Sequence, residues 1–584
     1  MFQQAMREQW YAAQADAQAI ACWLNCYLRE FALPRGQADM DYRGLDRPAG
    51  LALGEGPLLR IGFAQSGYAL CVRLGQSSRL GRCTYTSAPY LKAAGEGWRC
   101  ADARTTIHFL LERLAPECGF NAELLAQSAN SIEITRHLLE LSADAMPSGD
   151  ALIDAEQGML WGHALHPTPK SREGVPLAQV LACSPEARVR VPLYWFRIDP
   201  GLLRSLGRDA RATLAKVAGA EHLYPCHPWE AERLLAHPLL RQARERGLIE
   251  PLGPLGMALQ PTSSVRTMYH AELDYFLKMS IHVRLTNCVR KNAWYELESA
   301  VAMTALLEPA WRDVGERVPG FGVMLEPAAT TLDFSALGGD AEAHRELAES
   351  FGILYRDNPA ALVRERYHPQ VAGALFATDR HGASICKAML RPSASSAGYA
   401  RTAIAWFEAY AGLLLDGVWL AFFKHGIVLE PHLQNTVIGF DRGMPARLWI
   451  RDLEGTKLVR ERWPEASLAG LSERARQSVH YGQELGWKRV AYCALVNNLA
   501  EAIFHLADGD SALEERLWSC IGAIAQRWQE RHGAQPLLQG LLEGAALPSK
   551  NNLRTRLFKR ADRDSDYTYL PNPISPPAAA RQVA

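Results

Sequence analysis

No Cys-x-x-Cys pair occurs anywhere in these 584 residues, although twelve cysteines are present. They are scattered, with only Cys22 and Cys26 one helical turn apart, and a chain this long needs no covalent staples. That argues against a disulfide framework and against structural zinc, and it favours a reducing compartment. Net charge is missing too: 63 Lys and Arg face 63 Asp and Glu, which removes any general electrostatic case for nucleic acid or acidic membranes. The N-terminal stretch has no apolar signal core. The most apolar run, Tyr410 to Phe423, is interrupted by Asp416 and reads as too short for a bilayer span. The expectation is a soluble, cytoplasmic protein with neither nucleic-acid nor membrane partners. Also absent are GxxxxGK[ST], a GxGxxG after a strand, and a GxSxG elbow.

What is present is an ordinary globular composition, 48% hydrophobic and 22% charged, in a chain long enough for two to four subdomains. Three regions are expected, at 1–150, 151–385 and 386–584. The first opens with helical spacing over residues 2–33, with Trp10, Cys22, Trp23, Cys26 and Tyr27 as core candidates. Paired strands follow between Leu51 and Gly75, then helix over 104–145. The second begins with a helix and the loop Gly162 to Arg172, and carries strand signals at Val189 to Ile198, His222 to Pro225 and Tyr275 to Leu285. The third opens with a long helix, Gly398 to His425, and is mostly helical after an acid-amide cluster. The Pro/Ala-rich tail from Pro571 reads as unstructured. The fold class is α+β.

The cluster runs from Glu430-Pro431-His432-Leu433-Gln434-Asn435 to Arg451-Asp452-Leu453-Glu454. Carboxylate and amide oxygens suit Mg²⁺, which is held beside waters and substrate phosphates. Acids and amides flanking strands are equally common as turn formers, so this segment alone leaves both readings open. Cationic segments shift the balance. His163, His166, Lys170 and Arg172 share a Pro-rich loop that suits an anion better than zinc. Ser263-Ser264-Val265-Arg266-Thr267 offers hydroxyls and a guanidinium in a turn. In a strand, Lys278, Ser280, His282 and Arg284 would share one cationic face opposite Met279, Ile281, Val283 and Leu285. Lys550 to Arg556 is basic but reads equally as a surface helix end. Together these suggest ATP·Mg²⁺ bound next to a polyanionic substrate.

Five ordered motifs carry a resemblance. Gly162-His-x-x-His166-Pro-x-x-Lys170-Ser-Arg, Ser263-Ser264-x-Arg266-Thr267, Lys278-x-Ser-x-x-x-Arg284-x-Thr286-Asn287-x-x-Arg290, Glu430-x-His432-x-Gln434-Asn435 and Arg451-Asp452 resemble the NRPS-independent siderophore synthetases of the aerobactin-synthetase type. The resemblance implies a cupped hand of thumb, fingers and kinase-like palm, and a homodimer. It implies an enzyme that uses ATP and Mg²⁺ to adenylate a carboxylate of citrate, and then passes the acyl group to an amine or hydroxyl. By position, Ser264, Arg266, Thr267 and Lys278 would hold phosphates, with His166 and Lys170 closing over the ATP. Thr286, Arg284 and Arg290 would contact the carboxylate substrate, and His432 the transferring centre. Gln434 and Asn435 would lie near the nucleotide, and Glu430, Asp452 and Glu454 would position Mg²⁺. Catalysis would fall to His432, Arg290 and Lys278. Ala164 departs from the family's usual first loop proline, and Thr168 to Gly174 looks closer to members that use free citrate. The same family acting on a citryl-monoamide or 2-oxoglutarate, a kinase-like phosphotransferase and an inactive nucleotide-binding scaffold are the competing readings.

Overall fold

The computed structural model describes residues 2–52, 54–285, 288–391, 396–561 and 564–574. The N-terminal helix Phe2–Tyr27 runs on into a π-turn, Leu28–Ala32. It packs on a six-stranded antiparallel sheet in which Leu59 faces Val72 and Ile61 faces Leu70. Trp23 and Tyr27 are buried there, as are Cys22 and Cys26, whereas Trp10 is only half-buried. The segment expected as one helix over 104–145 is two. Asp102 caps Ala103–Cys118, Gly119 with φ +75° stops it, and Asn121 caps Ala122–Ser142. The twelve cysteines are all free.

Leu553 and Leu557, from the far end of the chain, complete this N-terminal core. Their helix, Asn552–Leu557, begins against a buried acid: Glu30 accepts the amides of Asn552 (2.9 Å), Leu553 (2.9 Å) and Arg554 (2.6 Å), donors a helix start leaves unpaired. Burial pushes the Glu30 carboxyl up to about 7, against the pull of those amides. The folded chain therefore holds a proton that the unfolded chain, near 4.5, gives up first. Stabilisation from this group is complete below the unfolded value and is lost as pH rises through the folded one. Glu30→Gln is expected to flatten the thermal midpoint between pH 4.5 and 7; equal slopes in both proteins would count against it.

The middle of the chain builds a second six-stranded sheet, antiparallel throughout, in which Tyr275–Met279 lies between Thr267–Tyr269 and Ile353–Asp357. The expected cationic strand ends early. Met279 is its last residue, and Arg284–Leu285 belongs to a separate ribbon with Cys288–Val289. At that end the Asn292 side-chain amide donates to the carbonyls of Lys278 (2.8 Å) and Gly352 (2.9 Å), tying the segment after the strand back to the sheet. Lys278 and Ser280 are buried while His282 and Arg284 are exposed, so the four form no single face.

A four-stranded sheet draws on both sides of residue 385, ordering Phe321–Val323, Met444–Ile450, Thr436–Asp441 and Gln370–Val371. The helix Ser396–Trp419 packs across it, and Trp406, Tyr410 and Trp419 are buried in the largest core. The expectation of a run too short for a bilayer is corrected. Gly398–Lys424 and Gln483–Ala507 are both long and apolar enough, but their most apolar windows are 61% and 100% buried in the chain, as core helices are. The second of them contains a π-helical stretch, Tyr492–Leu499, buried along its whole length.

Candidate active site

A cleft of about 790 Å³ runs between these layers. It collects His166, Lys170, Ser264, Arg266, Thr267, Lys278, Arg290, Glu430, His432, Gln434, Asn435 and Asp452 from the expected set. Glu454 instead lines a neighbouring cavity of about 360 Å³, together with Arg266 and Arg290. Arg284 lines neither; its charge acts on Arg556, near the N-terminal core. Thr286, expected to contact substrate, lies outside the described residues.

The hydroxyl-rich turn links Gln260–Pro261 to Thr267–Tyr269. Ser264 Oγ donates to Thr267 Oγ1 (2.8 Å) and accepts the Thr267 amide (3.2 Å). Between Ser264 and Arg266, the buried Val265 sits at φ +67°, a conformation that a β-branched residue rarely adopts and that is concentrated at ligand sites. A ring of contacts fixes the turn. Glu156 accepts the Ser263 amide (3.0 Å) and pairs with Arg451. Arg451 Nε donates to the Gln434 carbonyl (3.0 Å), and Gln434 Nε2 donates to Ser263 Oγ (3.2 Å). Burial pushes Glu156 up, but Arg451 outweighs it and holds the carboxyl below its ordinary value.

Beside this turn lies a charge network. Lys278 Nζ reaches Asp452 and Glu454, the latter at 2.6 Å; Arg356 reaches Asp452 at 2.9 Å and Glu326 at 2.7 Å. Arg266 donates to Asn292 Oδ1 (2.6 Å) and lies 3.9 Å from Glu454. Burial raises the Asp452 carboxyl, yet Lys278 and Arg356 overcome it and hold it far below the carboxylate range. Asp452 adopts φ +79°, and its side chain is 32% exposed, so the network's charge reaches the cleft through this residue.

The three acids expected around Mg²⁺ do not meet. Arg489 takes Glu430 (2.7 Å), which lies 4.0 Å from His432, while Asp452 and Glu454 share Lys278. Each acid is thus paired with a cation, and among the described residues no group of three His, Cys, Asp or Glu side chains is placed to hold a metal. The two loop histidines also accept backbone amides: Leu165 N donates to His163 Nδ1 (3.0 Å) and Thr168 N to His166 Nδ1 (3.1 Å). Lys170 is buried against Glu186 and the Met159 carbonyl (2.6 Å). Burial lowers the pKa of His432, so its imidazole is favoured in the neutral form.

Sequence reasoning missed Glu156, Glu326, Arg356 and Arg489. Each is defined by a partner 30 to 295 residues away, and no local spacing records that. The basic segment at Lys550, which by sequence reads equally as a surface helix end, belongs to the site. Lys550 and Asn552 line the cleft, and Asn552 Nδ2 donates to the Leu165 carbonyl (2.8 Å), tying the chain's end to the histidine loop.

The IucA / IucC family profile matches residues 151–377, and one described as ferric iron reductase FhuF-like transporter matches 404–565. The chain is 28% identical over 507 residues to a spermidine-citrate ligase of Bacillus anthracis, covering 81% of each. It is 28% identical over 478 residues to an L-2,3-diaminopropanoate–citrate ligase of Staphylococcus aureus, covering 78% of this chain and 79% of that one. Its fold is similar to that of ATP-bound aerobactin synthetase IucA from a hypervirulent pathotype of Klebsiella pneumoniae, with a TM-score of 0.79 at 22% identity, covering 96% of this chain and 99% of the other.

Proposed function

We propose that this chain, which belongs to the family of NRPS-independent siderophore synthetases, is a cytoplasmic, ATP-dependent ligase that adenylates a carboxylate of citrate and joins it to an amine or hydroxyl acceptor. In the first step a citrate carboxylate oxygen bonds to the α-phosphorus as the bond to pyrophosphate breaks. In the second, the acceptor's lone pair forms the new bond to the acyl carbon, the C–O bond to AMP breaks with its electrons on phosphate, and the acceptor gives up a proton.

The observation that carries this reading is the juxtaposition of the Ser264–Thr267 turn with Arg266, Lys278 and Arg290 in one cleft. Fixed cations and hydroxyls beside transferring phosphates stabilise charge without reorganising during the reaction. A cleft of about 790 Å³ is within the range of small-molecule sites and has room for a nucleotide beside a small acid. The donors also fit Mg²⁺, which takes one or two protein carboxylates beside substrate phosphates and waters. Asp452, the acid of this network that lines the cleft, would supply one carboxylate to the ion, which would neutralise phosphate charge. Neutral His432 would donate a hydrogen bond at the acyl centre.

The test is hydroxamate formation with hydroxylamine as surrogate acceptor, offering citrate, 2-oxoglutarate and succinate separately with ATP and Mg²⁺. Citrate-dependent hydroxamate, with AMP and pyrophosphate in equal amounts, is expected. ADP release would indicate phosphotransfer instead. Silence with all three acids while ATP still binds would point to a pre-formed citryl intermediate or to an inactive scaffold.

A further inference from the structure

Beyond the phosphate and citrate end, the cleft continues into a recess lined by Gln18 and Gln76, by Arg82, and by Glu501, His505 and Asp508 of the C-terminal helices. Nothing in the adenylation step uses these groups. Helix residues connect the two ends. The Leu433 amide, next to His432, donates to Asn497 Oδ1 (3.3 Å), and Glu501 follows Asn497 by one turn, a rise of about 6 Å.

Two features of the recess are incomplete. Glu501 is 4% exposed, yet its Oε1 has no hydrogen-bond partner, and Oε2 has only Arg82 Nε at 3.4 Å. That contact is long for a charged hydrogen bond, and a buried carboxylate with so little support is unusual. Arg82 lies over the Phe504 ring and donates through Nη1 to the Cys83 carbonyl (2.8 Å), while its Nη2 has no partner among the described residues.

The other charges sort as follows. Asp508 is taken by Lys387 and Gln76, both at 2.5 Å. His505 is kept neutral by burial, its pKa lowered to about 4. Arg29 stands behind Glu501, buried, with both Nη atoms unpartnered. Two guanidiniums thus face one carboxylate. A purely cationic polyamine would add to that excess and leave Arg82 Nη2 unmet, whereas a ligand with a carboxylate beside an ammonium adds no net charge and offers a partner to both Arg82 and Glu501.

We propose that this recess is the acceptor subsite, and that it selects a diamino acid whose α-carboxylate pairs with Arg82 and whose α-ammonium pairs with Glu501, leaving the side-chain amine as nucleophile. A side chain of three or four methylenes spans the single helical turn back to Asn497 and the acyl centre. This rests on the ligase reading above and names the acceptor for it.

The experiment compares ornithine and lysine with putrescine and cadaverine, the same chains without the carboxylate, using citrate and ATP. In the unaltered enzyme, kcat/KM is expected to be at least about tenfold higher for the diamino acids, a factor one well-placed charged contact supplies. Mass spectrometry and NMR should place the new amide on the side-chain nitrogen. Arg82→Gln should lower the ratio of diamino-acid condensation to hydroxylamine trapping at least tenfold through KM, with Arg82→Lys recovering part of it. Equal use of the diamines, an amide on the α-nitrogen, or a parallel loss of both rates in Arg82→Gln would each overturn the assignment. The comparison in the unaltered enzyme holds even if a variant fails to fold. Absence of citrate hydroxamate in the unaltered enzyme would instead remove the ligase reading itself.

Discussion

Replacing Arg451 by methionine is expected to lower the free energy of unfolding by about 3–5 kcal/mol, because it leaves an uncompensated charge in the interior. Glu156 is 0% exposed and Arg451 4%; with the guanidinium gone, the carboxylate is left with its hydrogen bonds from Ser263. The partner change separates this effect from a simple packing loss. In the double variant Glu156→Leu/Arg451→Met both charges are removed, and most of the lost stability should return, since a buried pair replaced by apolar groups of similar size is often neutral. Activity should not return with it. Ser263 would lose its acceptor, the turn carrying Ser264 and Thr267 would lose its tether, and citrate hydroxamate formation should stay at least tenfold below the unaltered enzyme, as expected when positioning is lost. Urea unfolding followed by tryptophan fluorescence, beside the hydroxamate assay, reads both quantities. A single variant as stable as the double would show that the Glu156–Arg451 pair does not hold the cleft together.

That pair also marks what could be read in the chain and what could not. Arg451 stood in a recognised motif, and Glu156 in an unremarkable helix, Ala151–Gln157. Their pairing joins positions 295 residues apart, and neither periodicity nor composition encodes such a distance. Local chemistry was legible. The hydroxyl turn at Ser264, the acid at Asp452 and the α+β alternation follow from residue type and spacing, because turns and strand faces are short-range effects. Lys278 is legible as a cation and lines the cleft, but the expected face does not extend past it, since the strand ends at Met279 and the chain turns toward Asn292. The apolar run at Tyr410 shows a different limit. Burial, rather than length, separates a core helix from a membrane span, and burial is settled by the sheet it packs on. The basic segment at Lys550 meets a similar limit: its place beside the histidine loop depends on Glu30, more than 500 residues earlier.

Replacing Lys278 by methionine is expected to reduce citrate hydroxamate formation by about a hundredfold to a thousandfold, the loss found when one fixed charge-stabilising donor is removed. Methionine keeps the length and the apolar stem, so the strand Tyr275–Met279 retains its packing while the ammonium between Asp452 and Glu454 disappears. Two neighbouring acids then face each other with Arg356, Arg266 and Lys457 as the nearby cations. Like charges so placed raise one another's pKa. Burial already pushes both upward, and Lys278 is the largest opposing influence on each. The variant should therefore gain an acid limb absent from the unaltered enzyme, with activity falling as pH drops through the raised carboxyl value and recovering only in part above it. Asp452→Asn distinguishes two ways in which Lys278 could act. If it contacts phosphate directly, the two single losses should multiply in the double variant. If it acts by holding Asp452 ionised and in place, the double variant should be no worse than the more damaged single, since residues working as a unit are not additive. Activity within threefold of the unaltered enzyme in Lys278→Met at every pH would place the phosphate cradle elsewhere in the cleft.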